Sequence, residues 1–276
     1  MVMYFMMCCI FCKNNSENSK SKEHIIPESI GNKEYVLPPG WVCDSCNNYF
    51  SRKVEAPSLE SWYGKISRFE MRIPNKKGRI PVGTGVHPYS RTKLDLLFDK
   101  DGLSIFPASG EDETRFVKSI QTQRQGKLYI PSAGEPELNY EVARFIGKVG
   151  LEVLADRGTH IDGWNEELAN KTELDKLRNY VRRGEDGFIW PVNIRRIYSA
   201  DQEFSDENNA AFQILNEFDI LFIPSSKDSQ VGEFYAIIVI LGVEYAINLG
   251  EPDLDGYLQW LKYNDEQSYL YIKTKP

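Results

Sequence analysis

No cysteine follows position 46. All five cysteines, at 8, 9, 12, 43 and 46, fall in the first sixth of a 276-residue chain. A disulfide framework spread through the fold is therefore excluded, and the thiols belong to one local structure. Long apolar runs are also missing. The longest, Phe234 to Val243, is about half a membrane span, which argues against an integral membrane protein. The opening Met-Val-Met-Tyr-Phe-Met-Met has no basic segment before it and no small-residue cleavage site. It reads as a short strand feeding the first cysteines, with a cytoplasmic location expected. Internal repeats, a phosphate-binding glycine loop, a Ser/His/Asp set and coiled-coil heptads are all lacking. Histidine is scarce, with three in all, and His87 and His160 have neither acidic nor cysteine neighbours.

What is present is enough for a folded core. Hydrophobic residues make up 41% and charged residues 26%, which fits one large or two modest domains. The net charge of −7 argues against a generally basic nucleic-acid binder, but it is unevenly spread. Residues 1–80 hold 12 basic and 8 acidic side chains; the remainder hold 21 basic and 32 acidic. A mildly basic front and an acidic back suit a polyanion engaged at the front alone.

The cysteines form two Cys-x-x-Cys pairs, Cys9/Cys12 and Cys43/Cys46, with Cys8 to spare. Four thiolates give closed tetrahedral coordination, so a structural zinc is expected, with no open position for substrate. A thioredoxin-like redox motif is the alternative, although it needs one pair only. Thirty residues separate the pairs, more than the roughly 15–20 of a minimal zinc ribbon, so something is inserted between the knuckles. Asn14–Lys22 reads as a mobile polar loop. Glu23-His24-Ile25-Ile26 has strand character up to Pro27, Gly31-Asn32-Lys33 reads as a turn, and Tyr35-Val36-Leu37 as a second strand. A short helix follows from Asp44 to about Glu55, capped by Asp44 or Ser45 and ended by Ala56-Pro57. A unit this small needs its metal to fold.

The run Glu23-His24-Ile25-Ile26-Pro27, a glycine turn and then Val42-Cys43-x-x-Cys46-Asn47 resembles the HNH endonuclease family, in the subgroup with paired Cys-x-x-Cys knuckles. The resemblance spans about residues 9–55 and implies a ββα-metal site. His24 would be the general base that activates water. Glu23 and Asn47 would hold a catalytic Mg²⁺ or Mn²⁺, with Asn48 a possible substitute for Asn47. The middle Asn of the motif has no match, since Tyr35 to Pro39 fill that region, so a backbone carbonyl is left to hold His24. Phosphodiester hydrolysis explains these residue types: an imidazole near pKa 6.5 is a competent base at neutral pH. Hard oxygen ligands suit a cation that neutralises transition-state charge. The plain alternatives are a His24 that merely completes the surface or core and an Asn47 that merely caps the helix.

Beyond Glu55 the chain is less explicit. Lys65, Arg68, Arg72, Lys76, Lys77 and Arg79, interleaved with Trp62, Tyr63 and Phe69, read equally as a phosphate grip or an ordinary solvated face. Strands are expected at Leu94–Phe98, Leu103–Phe106 and Lys127–Ile130. A helix is expected over 140–157, with Val142, Ile146, Val149 and Val153 as its buried stripe, Gly147 and Gly150 facing a neighbour, and Gly158 at its C′ position. A second runs from Glu173 to Arg183, opened by a Thr172/Asp175 capping box, and Arg178, Arg182 and Arg183 could touch phosphate. The last hundred residues read as antiparallel strands at Ile189–Tyr198, Phe212–Ile223, Phe234–Leu241 and Val243–Leu249, then a helix near Leu254–Lys262 and a strand at Tyr269–Lys273.

The expected architecture is α+β: an N-terminal zinc-bound ββα-metal module over residues 1–60, then a larger α+β domain over 61–276 with an antiparallel sheet. The second domain would position substrate, mediate homo-oligomer formation or receive a protein partner. The expected activity is metal-dependent endonucleolytic cleavage, of DNA foremost, in a setting of bacterial anti-phage defence or restriction by family analogy. The rival is a zinc-ribbon DNA-binding or scaffold protein without catalysis, which has no use for Glu23, His24 or Asn47.

Overall fold

The computed structural model describes residues 6–75, 77–123, 126–184, 187–199, 202–205, 208–224 and 232–273. Most of the expected opening strand (residues 1–5) and Lys76 of the basic stretch lie outside them. The observed fold is mixed α+β, with helices, antiparallel sheets and the cysteines gathered near the N-terminus. Among the described residues no helix is long and apolar enough to cross a membrane.

Strand β1 (Glu23–His24) pairs antiparallel with β2 (Val36–Leu37), Glu23 opposite Leu37 and His24 opposite Val36. Helix α1 (Asp44–Phe50) follows, capped by Cys43, whose sulfur accepts the Cys46 amide. Asp44 instead gathers the loop before β1. Its Oδ1 accepts the Lys20 and Ser21 amides and the Ser21 hydroxyl, so this loop is fastened where the sequence suggests mobility. The helix does not end at Ala56-Pro57. A π turn at Ser51–Glu55 leads into α2 (Ala56–Leu59), the ladder widening just before the proline that cannot donate to it.

The chain divides into two compact units. Leu59–Pro136 forms one; the other runs to Ser58 and resumes at Glu137. The sequence reading places a single boundary at residue 60. The difference arises because side chains beyond residue 137 are bonded into the cysteine-bearing segment, as described below.

In the Leu59–Pro136 unit, α3 (Trp62–Glu70) precedes the antiparallel sheet β3 (Gly83–His87), β4 (Thr92–Asp99) and β5 (Gly102–Pro107), followed by α4 (Glu113–Gln123). Phe69, Leu94, Leu96 and Phe116 make its core. Helix α4 was not legible beforehand, and the expected Lys127–Ile130 strand shrinks to one bridge between Val86 and Tyr129.

The other unit is built on α5 (Tyr140–Arg157). Every residue from Ala143 to Ala155 is buried, far more than a single stripe, because neighbours pack on it from several sides. After α6 (Trp164–Asn170) and a 3-10 turn at Thr172–Leu174 comes α7 (Asp175–Arg183). A Cβ added to Gly147 would lie 2.9 Å from Val181 and 3.0 Å from Leu177 of α7; one on Gly150 would meet Leu249 at 3.0 Å and Ala236 at 3.2 Å. The two glycines thus let α5 approach a helix and a sheet at once. Gly158 is not left-handed (φ −111°); its reason is Trp164, whose Nε1 would lie 2.1 Å from a Cβ.

The sheet comprises β6 (Asn193–Arg196), β9 (Asn216–Ile223), β10 (Glu233–Ile240) and β11 (Val243–Asn248), in the order β6-β11-β10-β9, all antiparallel. The apolar β10 is an inner strand, as its composition requires. Leu241 (φ 52°) and Gly242 (φ 81°) close the β10–β11 hairpin in two residues. The expected strand at 212–223 begins only at Asn216; β7 (Phe204–Ser205) and β8 (Ala211–Phe212) form a separate small pair. Helix α8 (Asp255–Tyr263) matches expectation, but Tyr269–Lys273 is helical (α9) rather than extended. Ser268 explains this: its Oγ accepts the Leu270 amide, as a helix cap does, and bonds the buried Glu244 carboxylate. Replacing Gly147 by Val should destabilise this unit by about 1–3 kcal/mol. A lower urea midpoint at unchanged m-value would show it.

Candidate active site

The four sulfurs of Cys9, Cys12, Cys43 and Cys46 all lie within 4.8 Å of one another, and Cys12 and Cys43 are 3.7 Å apart. Tetrahedral zinc with bonds of about 2.3 Å spaces its sulfurs by about 3.8 Å, so the donor set fits the ion. Among the described residues this is the one cluster of three or more His, Cys, Asp or Glu donors with that convergence. The first knuckle closes through Cys9 N to Asn14 O (2.9 Å) and Lys13 N to Cys9 O (2.8 Å), with Lys13 left-handed at φ 63°. Ile10 N to Trp41 O (3.0 Å) ties it to the second. A hydrogen bond with Cys46 pulls the Cys9 thiol down to about 5, whereas burial and the neighbouring sulfurs push Cys12 up to about 11. Four thiols this close ionise together only around a cation. Such an ion would hold the knuckles together without taking part in chemistry.

The knuckles are gripped from the far part of the same unit. Asn165 accepts the Cys8 amide (2.8 Å) and donates to the Cys8 carbonyl (3.0 Å). The buried Arg178 donates to Ile10 O (2.7 Å), Lys171 O (2.6 Å), Leu168 O and Asp175 Oδ1 (2.8 Å). Its guanidinium is therefore committed to the fold and is not a phosphate contact. Asp175 takes Lys13 and Arg178 rather than capping its helix.

The hairpin bearing His24 is organised by Asn32, which the sequence suggests only as a turn residue. Its Nδ2 donates to Ile26 O (2.6 Å) and Tyr35 O (3.0 Å), and its Oδ1 accepts the Glu34 (3.0 Å) and Tyr35 (2.9 Å) amides. All four bonding positions of the buried amide are used. These bonds close the hairpin from a position nearer β1 than the Tyr35–Pro39 region. The signal was the Gly31-Asn32 turn itself.

Glu23 points into the protein. Its Oε1 accepts Lys148 Nζ at 2.6 Å, and the same ammonium lies 2.7 Å from Glu55 Oε1, 3.0 Å from Glu152 Oε2 and 3.3 Å from His24 O. Lys148 and Glu152 are wholly buried. Burial pushes the Lys148 ammonium down, and the three surrounding carboxylates more than reverse this. Burial raises Glu152 far above the usual carboxylate range and Glu23 less far, against the pull of Lys148 in each case. Glu23 Oε2 is buried with no hydrogen-bond partner. Neither Glu55, Lys148 nor Glu152 was singled out from sequence; the i, i+4 spacing of Lys148 and Glu152 was the available clue.

Glu23 and the partly buried His24 are thus adjacent on β1, and Asn47 on α1 reaches the residue just before it, its Nδ2 donating to Lys22 O at 3.1 Å. Glu23 Oε2 and Asn47 Oδ1 are the atoms these side chains have to offer a hard cation, and the unpartnered buried oxygen fits that demand. His87 is buried in the Leu59–Pro136 unit against Ser90 (2.7 Å), apart from this chemistry.

Helices and antiparallel sheets with a four-cysteine cluster near the N-terminus define an α+β protein whose cysteines could hold a metal ion. Residues 9–63, about a fifth of the chain, match the family model described as HNH endonuclease. Comparison with curated proteins and with solved structures gives no match.

Metal analysis should find one zinc per chain. Cys46→Ser should lose it, with a chelator-like fall in melting temperature. Asn32→Ala should cost about 1–3 kcal/mol by leaving buried backbone groups unpaired, measured by denaturant unfolding.

Proposed function

We propose that residues 9–63 hydrolyse phosphodiester bonds, in DNA foremost, and that His24, Glu23 and Asn47 do the chemistry. The observation supporting this is the bond from Asn47 to Lys22 O, the residue before the Glu23–His24 strand, beside four sulfurs that could hold a metal ion. His24 takes a proton from the attacking water. Glu23 and Asn47 hold a divalent cation, Mg²⁺ or Mn²⁺, through Oε2 and Oδ1. That ion, when bound, neutralises charge on the phosphate and leaving oxygen. The four thiolates carry zinc as a structural ion. A cytoplasmic setting and a role in anti-phage defence or restriction rest on family analogy alone.

The rival reading, a non-catalytic zinc-ribbon DNA-binding or scaffold protein, is favoured by the engagement of Glu23 with Lys148. Cleavage assays on DNA and RNA with Mg²⁺ or Mn²⁺ separate the two. The wild type should cut, and His24→Ala should lose at least about 100-fold in rate while keeping its zinc. Cutting by His24→Ala at the wild-type rate would defeat the mechanism. Binding without cutting by the wild type would favour the scaffold.

A further inference from the structure

A lysine 124 residues beyond His24 reaches its backbone. Lys148 Nζ contacts Glu23 Oε1 (2.6 Å) and the His24 carbonyl (3.3 Å), the side chain and main chain of two consecutive residues of β1. Glu55 and Glu152 hold the same ammonium from the other sides, at 2.7 and 3.0 Å. The contacts come from three elements: β1 with Glu23 and His24, the π turn after α1 with Glu55, and α5, which carries Glu152 one turn beyond Lys148 itself. With Lys148 completely buried, the ammonium has no water to move into and keeps one place. It therefore fixes strand β1 in position against both the helix carrying Asn47 and the central helix α5.

We propose that Lys148 is a positioning residue of the nuclease site: by gripping Glu23 Oε1 and the His24 carbonyl together, it sets the direction of the His24 imidazole and leaves Glu23 Oε2 as the free oxygen. This rests on the nuclease reading of His24 and answers what holds that ring in a motif whose middle Asn has no match. A bond to a main-chain carbonyl restrains the backbone from which the ring projects. A second bond to the preceding side chain restrains rotation of that peptide. The unit's C-terminal part is then a component of the active site rather than an appendage to it.

The test compares Lys148→Met, Lys148→Met/Glu152→Gln and Glu55→Gln in the full chain, by zinc content, thermal unfolding, kcat and KM for a cleavable DNA, and the ring resonances of His24 by NMR. With three histidines in the chain, that ring can be assigned. Lys148→Met strips the counter-ion from three carboxylates; the double variant also removes one of those charges and should recover much of the melting temperature. Expected is a kcat about 100-fold below wild type in the double variant, with KM within about twofold, as for a misplaced catalytic group. Glu55→Gln, which loosens the ammonium without removing it, should fall about 10-fold in kcat. Recovery of kcat along with stability in the double variant would overturn the proposal, since Lys148 would then serve the fold alone. So would unchanged kcat in a zinc-bound Glu55→Gln. Should the wild type not cut nucleic acid, the nuclease reading falls by itself. The His24 ring shifts still decide the positioning: a shift in Glu55→Gln at unchanged zinc content supports it, and coincident spectra overturn it.

Discussion

A buried ammonium can exist only where anions and carbonyls replace the water it has lost, and the first unit is arranged around that requirement at Lys148. Three carboxylates converge on it from segments that are far apart in sequence. Removing the ammonium would leave the three carboxylates in bare repulsion, so the group is a single object rather than three ion pairs. Its value to stability over an apolar packing of the same volume is small or negative by the usual balance of desolvation against attraction. What it does supply is a fixed register between a two-residue strand and an eighteen-residue helix. Strand β1 is too short to secure its own register through pairing, having two residue pairs with β2. Asn32, bonded across the hairpin, holds that pairing, and the cage sets the strand against α5.

The thiol cluster solves a different problem in the same segment. Residues 6–58 bury Ile10, Phe11, Ile25, Ile26, Leu37 and Phe50, and the sulfurs converge where a metal could add cohesion. Around this, Asn165, Arg178 and Lys148 reach in from α5, α6 and α7, each bonding main-chain or acidic groups of the N-terminal segment. The module is thus held by polar contacts to named atoms, which fix geometry more tightly than a greasy interface of equal size.

How much of this could be read beforehand follows the range of the interactions. Cysteine spacing, the Glu23-His24 pair and the Asn47 position are local signals, and the hairpin, α1 and the convergence of the four sulfurs followed from them. The long α5 and the inner strand β10 were legible because burial imposes period and composition. What stayed hidden depends on partners distant in sequence. Asn32 looks like any turn residue until its four bonds are seen; Lys148 looks like an exposed lysine in a helix until Glu23 and Glu55 arrive. Tyr269–Lys273 alternates like a strand, and the Ser268 contact with Glu244 is what turns it into a helix. The single domain boundary at residue 60 failed to describe the compact units for the same reason. Composition does not change at Glu137, yet the chain there returns to the unit it left at Ser58.

That return has a consequence in time. The ribosome delivers Glu23 and Glu55 early, whereas Lys148 lies more than 90 residues further on, past the whole Leu59–Pro136 unit. At ordinary synthesis rates of about 5–20 residues per second, the nascent carboxylates wait on the order of 5 to 20 seconds for their counter-ion. During that interval the hairpin bearing His24 has its Asn32 bonds and the Asn47 tie to Lys22, but not its tether to α5. A chain cut short before α5 would carry every residue of the recognised motif and lack the ammonium that sets its register. Maturation of the proposed site would therefore wait for α5, a built-in delay in a protein whose proposed chemistry acts on nucleic acid.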